Sequence, residues 1–104
     1  MVKAIEIEKQ IHGAKGSYVA SVEGVEGHAH LDFTIRGPAM VSADHTEAPE
    51  SMRGTGVAMA LVERLIADAR AEGFKIIPLC PYVLAQSRRH PEWSDAMAPA
   101  SPAA

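Results

Sequence analysis

The residues best suited to chemistry lie in one passage, residues 44–58, where Asp, His, Thr, Glu and Arg side chains precede two glycines. Gly54 and Gly56 allow backbone conformations closed to other residues and let a ligand approach the main chain closely. A helical pattern begins after them, and the first turn of a helix has unpaired N–H groups carrying about half a positive charge. The passage therefore predicts a concave anion site suited to a pyrophosphate. A plain helix start with glycines in a tight turn is the alternative interpretation.

Two common kinds of phosphate loop do not fit this passage. A P-loop continues its glycines with Lys and then Ser or Thr, whereas this chain has Val57 and Ala58 there. A Rossmann fingerprint needs a third glycine and an early place in a parallel sheet, and both are missing. What the chain has is the pattern Arg53-x-x-Gly56-x-Ala58 at the start of a predicted helix.

Other candidate groups are more scattered. His28 and His30 share one face of a predicted strand and His45 belongs to the next one, so three imidazoles make a rival zinc site. No Cys or carboxylate spacing adds to that pattern, which is more typical of surface histidines, and we expect no metal. Arg88 and Arg89 form the only basic cluster, which is large enough to meet one phosphate group but too small for a nucleic-acid duplex.

Hydrophobic periodicity predicts the elements that would position these residues. Period-two alternation through the N-terminal half indicates strands, and in the clearest one Ala29, Leu31, Phe33 and Ile35 are expected to face inward. Apolar residues at i, i+4 spacing then predict an amphipathic helix that ends at Gly73. The predicted elements are strands near residues 5–11, 17–22, 28–36 and 40–46, a helix over 54–72, a strand over 74–79 and a final turn or helix over 81–89.

The predicted order is β-β-β-β-α-β-α. Short turns between the first four strands indicate an antiparallel meander. The following strand–helix–strand succession is a βαβ crossover, which makes the last strand parallel to its predecessor. The fold class is therefore α+β, an α/β sandwich with a mixed sheet. We predict one domain over residues 1–93 and a disordered tail of small residues and prolines over 94–104.

Composition narrows the class of protein further. The chain has 104 residues, with 10 Lys and Arg against 13 Asp and Glu, and this net charge of −3 leaves no basic footprint for nucleic acid. One cysteine excludes an intramolecular disulfide and a Cys-only zinc site. No apolar run approaches the roughly 20 residues of a membrane span, and no signal-peptide pattern is present. We expect a cytoplasmic protein without a membrane or nucleic-acid partner.

The loop pattern resembles the acetyl-CoA-binding motif Gln/Arg-x-x-Gly-x-Gly/Ala of the GNAT superfamily of N-acetyltransferases. Two further stretches are similar to a short, one-domain branch of that superfamily, the YjdJ-like proteins. One is His-Thr-Glu-x-Pro over residues 45–49, and the other runs from Ile76 through Cys80-Pro81-Tyr82 to Trp93. The resemblance covers residues 18–93 and implies a minimal GNAT fold, with acetyl-CoA as the co-substrate and a primary amine as the acceptor.

The resemblance also implies where acetyl-CoA would bind. Its pantetheine arm would lie along the strand before the loop, bordered by residues 44–47, and Pro78 would help two parallel strands to separate there. The pyrophosphate would lie against the loop, and Arg89 is a candidate for the 3′-phosphate. The implied binding residues are Thr46, Arg53, Gly54, Thr55, Gly56, Val57, Ala58 and Arg89.

Direct acetyl transfer would need a neutral amine, a polarised thioester carbonyl and a proton for the leaving thiolate. Glu47 and His45 are the candidates for removing the amine's proton. A backbone N–H near Thr46 would meet the carbonyl. Tyr82 or Cys80 would protonate the thiolate, and Cys80 could instead accept the acetyl group as a nucleophile or simply be a packing residue.

One departure from the superfamily bears on the acceptor. Only residues 22–28 separate two early strands, so the helices that bind acceptors in longer GNAT domains are absent. The acceptor is therefore left open between a small amine and a protein amine. The rival from another class is a CoA-binding module with little or no catalysis. A homodimer through an exposed sheet edge is compatible with either interpretation.

Overall fold

The computed structural model describes residues 4–99, and its centre is one five-stranded sheet whose strands lie in chain order. The first four strands pair antiparallel and the fifth is parallel to the fourth, which confirms the predicted mixed sheet and α+β class. The strands are β1 (Ile5–His12), β2 (Lys15–Val22), β3 (Val25–Gly37), β4 (Met40–Glu47) and β5 (Lys75–Pro78).

Two helices accompany the sheet. The long helix α1 (Val57–Glu72) connects β4 to β5, and α2 (Pro81–Arg89) follows β5, while short 3₁₀ turns occupy Glu50–Met52 and Pro91–Trp93. The apolar stripe of α1 is buried against β2 and β3 and forms the core with their inward side chains. No helix within residues 4–99 is long and apolar enough to cross a membrane.

One predicted inward residue is less buried than expected. Ile35 is 37% exposed, whereas its neighbour Thr34, on the other face of β3, is only 9% exposed. Ile35 lies on the helix side of the sheet, where it lines a hollow of about 140 Å³ with Phe33 and Leu65 that the helix leaves partly open. Thr34 is shielded on the other face by hydrogen bonds with Lys15 and Asp44.

The β3–β4 pairing contains a bulge. Phe33 pairs with Ala43, but the preceding residue Asp32 pairs with His45, so Asp44 is an extra residue on β4. A bulge leaves its residue outside the ladder and shifts which side chains face each side of the sheet.

The predicted domain boundary at residue 93 is too early. Met97 forms a parallel bridge to Ile76, and Ile76 also exchanges backbone hydrogen bonds with Ala96 and Ala98. Ala96 is buried, because this segment covers the outer edge of β5, whose peptide groups would otherwise lack partners. The rest of the predicted tail, residues 100–104, lies outside the described residues.

Candidate functional site

β4 and β5 separate beside the end of β5. Their paired register ends at Ala43 and Pro78, and the last link is a 2.8 Å hydrogen bond in which Cys80 N–H donates to Ala43 C=O. β4 then continues to Glu47 beside β3, while the segment that follows β5 turns away into α2. Among residues 4–99, no strand pairs with this end of β4 on its far edge, so a wedge opens there.

Thr46 turns its peptide group toward the wedge. On β3, Ile35 N–H points toward the β2 side, where it donates to Ala14 C=O at 2.6 Å. Because successive residues of a strand direct their N–H and C=O groups to opposite sides, the residues of β3 bond alternately to β2 and to β4. By that alternation His45 and Glu47 form the hydrogen-bonded pairs with β3. Thr46, between them, directs its N–H and C=O to the opened edge.

The loop before α1 is a left-handed turn built on two glycines. Gly54 and Gly56 have φ of 79° and 80°, which residues with a β-carbon rarely adopt, and an added β-carbon would meet nothing within 4 Å at either. Thr55 braces the turn, because its hydroxyl donates to Met52 C=O at 2.7 Å and accepts from Val57 N–H at 3.3 Å.

The backbone amides of this loop remain free for a ligand. Gly56 caps α1 without any side-chain hydrogen bond, and the first turn of the helix has no acidic residue. Within the described part of the chain, the N–H groups of Gly54, Gly56, Ala58 and Met59 have no acceptor. Four donors without an acceptor, together with the positive end of the α1 dipole, are suited to an anion.

A cleft of about 320 Å³ runs from this loop to the start of α2. It is lined by the end of the β4 connection, the loop, the first turn of α1 and one residue of α2: Ala48, Pro49, Glu50, Met52, Arg53, Gly54, Gly56, Val57, Ala58, Met59 and Tyr82. Arg53 forms only an exposed ion pair with Glu50, at 3.5 Å, so its guanidinium can turn toward a bound phosphate at little cost.

Cys80 and Thr46 meet across the mouth of the wedge. The Cys80 thiol is 3% exposed and donates to Thr46 Oγ1 at 3.3 Å. Thr46 pairs with the buried Leu31 of β3, so its side chain lies on the helix side of the sheet. The structure therefore brings together two of the residues singled out from the sequence.

Tyr82 lies in the first turn of α2 and contributes to the cleft. Burial raises the pKa of its hydroxyl above the ordinary value of 10.0, an effect that the charge of Arg89 opposes. The Tyr82 hydroxyl is protonated at neutral pH, as an ordinary tyrosine is. Arg89 is exposed and is not part of the cleft lining.

His45 and Glu47 lie on the opposite face of the sheet. The two side chains form an exposed pair in which His45 Nε2 lies 3.1 Å from Glu47 Oε1. The ring of His30 lies beside the ring of His45, with 6.0 Å between their centroids. Their side chains do not reach the Cys80–Thr46 contact directly, because neighbouring residues of a strand face opposite sides. No group of three or more metal-binding side chains occurs among residues 4–99, and His28, His30 and His45 form none.

Another hollow, of about 400 Å³, lies over β1 and β2 on the open face. It includes Glu6, Glu8 and His28 but none of the loop residues. Sequence reasoning missed the amide of Met59, and it placed Asp44 beside the pantetheine arm without predicting the bulge there. The sequence carries one sign of the bulge, because the residues of β4 that face inward change from odd positions, Val41 and Ala43, to an even position, Thr46.

Comparisons with known proteins agree with this geometry. The family model described as GCN5-related N-acetyl-transferase matches residues 17–96. A solved structure of a ribosomal-protein-alanine N-acetyltransferase from Brucella melitensis biovar Abortus 2308 has the same fold, with a TM-score of 0.59 and 18% identity over 97% of this chain and 94% of that chain. No curated protein sequence matches the chain significantly.

Proposed function

The chain belongs to the GCN5-related N-acetyltransferase family, and from this premise we propose that it transfers an acetyl group from acetyl-CoA to a primary amine. The observation that carries the proposal is the loop of free amides at Gly54, Gly56, Ala58 and Met59 beside the wedge between β4 and β5. Such a loop would hold a diphosphate, and the wedge would hold an extended chain that ends in a thioester.

The loop fits the pyrophosphate of acetyl-CoA in shape and charge. Two glycines at positive φ leave the cradle open, and no carboxylate occupies the first turn of α1. Arg53 can add a charge-assisted contact. Thr55 would keep the turn in shape, and the backbone of residues 57–58 would complete the cradle.

The free edge of β4 fits the pantetheine arm. An amide N–H of that arm can donate to Thr46 C=O, as an added strand would. In the same position, Thr46 N–H would donate to the thioester carbonyl. A donor fixed in this way stabilises the oxygen as negative charge develops on it.

Tyr82 is the group that we propose gives a proton to the leaving thiolate. Its hydroxyl is protonated at neutral pH, and it lies on the wall of the cleft near the end of the wedge. Cys80 is also close, but its thiol already donates to Thr46, so we assign it to shaping the thioester pocket. Arg89, farther along α2, is the proposed contact for the 3′-phosphate.

The acceptor would approach from the open face of the sheet. Among the described residues no α-helix precedes α1, and the side chains of His45 and Glu47 are exposed. From there either side chain would take the amine's proton through a water. Both small amines and protein amines, including the ribosomal-protein alanine named for the structural neighbour, are proposed acceptors.

A CoA-binding module without catalysis is the second candidate. It is favoured by the placement of His45 and Glu47 on the face away from the Cys80–Thr46 contact. Binding would then need only the loop and the wedge.

The first test is binding. Acetyl-CoA at about 100 times its Kd should add about 2.7 kcal/mol to the free energy of unfolding, a rise in melting temperature of about 10–20 °C for a domain of this size. ATP, which lacks the pantetheine arm, is the control and should give a smaller rise. No shift with acetyl-CoA would refute both candidates.

The second test is turnover, measured as thiol release from acetyl-CoA with spermidine, a lysine peptide and an N-terminal alanine peptide in separate reactions. Tyr82→Phe should lower the rate about 100-fold, because it removes the proton donor, and Cys80→Ala should lower it less. The same slow release in the wild type and both variants would favour the binding module.

A further inference from the structure

Asp44 is the residue that the bulge leaves outside the β3–β4 ladder. Without the bulge, the part of β4 beyond Ala43 would slip by one residue against β3. His45 would then turn its N–H toward the wedge, and Thr46 would face β3 instead. The conformation at Asp44 therefore decides which backbone amide faces the opened edge.

The side chain of Asp44 is held by two hydroxyl groups. Thr34 Oγ1 donates to its Oδ2 at 2.5 Å, and Ser42 Oγ donates to its Oδ1 at 2.7 Å. Ser42 is fully buried and Thr34 is 9% exposed, so water cannot easily replace the carboxylate as their acceptor.

Two cations complete the arrangement. Arg36 Nε donates to Ser42 Oγ at 2.7 Å, and its Nη2 lies 4.0 Å from Asp44 Oδ1. Lys15 Nζ donates to Thr34 Oγ1 at 3.1 Å. Each hydroxyl thus accepts from a cation and donates to the carboxylate, and the network joins β2, β3 and β4 around the bulge.

We propose that Asp44 is a positioning residue, which fixes the β4 bulge through Thr34 and Ser42 and thereby directs the Thr46 amide at the thioester carbonyl. The inference rests on the proposed function, since it assigns that amide to acetyl-CoA. It is consistent with the general occurrence of bulges beside active sites, where they redirect neighbouring groups.

The test is an NMR comparison of backbone amide shifts with acetyl-CoA and with CoA. In the wild type, the amides of Gly54 and Gly56 should move with both ligands. Thr46 should move further with acetyl-CoA, because only acetyl-CoA has a thioester carbonyl that can accept from the Thr46 N–H. In Asp44→Asn the acetyl-specific part of the Thr46 shift should fall below about half its wild-type value, while the loop amides still move.

Asp32→Asn is the matched control. Asp32 lies on the same face and accepts hydrogen bonds from Ser17 and His30, but it is not part of the bulge network, so its variant should keep the full Thr46 shift. Full retention of that shift in Asp44→Asn would overturn the proposal. Absence of any movement at Gly54 and Gly56 in the wild type would instead refute the proposed function.

A second pair of variants keeps the test decisive if Asp44→Asn does not fold. Thr34→Val removes the hydroxyl that donates to Asp44, and Thr34→Ser keeps it. The valine variant should lose the acetyl-specific shift and the serine variant should retain it. Equal losses in the two would show that packing, and not the hydrogen bond, holds the bulge.

Discussion

The two ends of α1 differ in how their polar groups are satisfied. At the N-terminal end, Gly56 caps the helix without a side-chain hydrogen bond and the amides of Ala58 and Met59 find no acceptor within residues 4–99. At the C-terminal end, Gly73 N–H donates to Ala69 C=O at 2.9 Å, and Arg70 makes two hydrogen bonds to Asp95. One end of the helix is left open to a ligand, and the other is closed by the protein itself.

The C-terminal half of α1 also carries a polar cluster at its interface with the sheet. The buried Tyr18 hydroxyl donates to Asp68 at 2.7 Å, Arg64 donates to the same carboxylate at 3.2 Å, and Lys9 lies 3.3 Å from it. Burial alone would raise the pKa of Asp68, but these hydrogen bonds and charges outweigh it and hold the pKa below the ordinary value. The contrast supports the proposal that the N-terminal end of α1 binds a ligand while its C-terminal end stabilises the fold.

The largest expected effect tests the stabilising end. Asp68→Ala should lower the free energy of unfolding by about 3 kcal/mol, because it leaves the buried Tyr18 hydroxyl and Arg64 without this acceptor. The melting temperature should fall by about 12–24 °C, as measured by circular dichroism. Glu72→Ala is the control, since Glu72 is largely exposed and shares only Lys9. Glu72→Ala should lower the free energy of unfolding by less than about 0.5 kcal/mol. A loss as large as that of Asp68→Ala would contradict the stabilising role proposed for Asp68.

The next effect compares the two capping glycines directly. Gly56 and Gly73 share a φ of 80°, and an added β-carbon would meet nothing within 4 Å at either. Gly56→Ala and Gly73→Ala should therefore each destabilise the protein by about 1–2 kcal/mol. Only Gly56→Ala should also weaken acetyl-CoA binding, by about tenfold or 1.4 kcal/mol in calorimetric titration. Equal affinities in the two variants would remove the loop from the binding site.

The smallest expected effect is a loss of stability at alkaline pH. Burial and the hydrogen bond to Asp68 raise the pKa of Tyr18 above its ordinary value of 10.0. The folded state therefore favours the protonated hydroxyl, and this stabilisation is complete below pH 10 and is lost as the pH rises toward the folded pKa. From about pH 9.5 to about pH 10.5 the loss should be about 0.7 kcal/mol in urea unfolding. Tyr18→Phe should remove this part of the pH dependence; an unchanged slope would show that other groups cause it.

Much of the fold follows from local patterns. Period-two alternation found the strands, and the i, i+4 stripe ending at Gly73 found α1, because each element must bury one face. The segment after Trp93 was missed for the opposite reason. Ala96 and Met97 have no strong local preference, and they are held by the free edge of β5, which is a partner from elsewhere in the chain.

The sequence alone determined the order of elements and the loop around Gly54 and Gly56, since left-handed turns and helix starts depend on neighbouring residues. Tertiary structure decided how the rest of the site is divided between the two faces of the sheet. The bulge at Asp44 puts Thr46 beside Cys80 and leaves His45 and Glu47 on the far side. That division depends on the pairing of β4 with β3, and a one-residue change of register between distant strands leaves little trace in local composition.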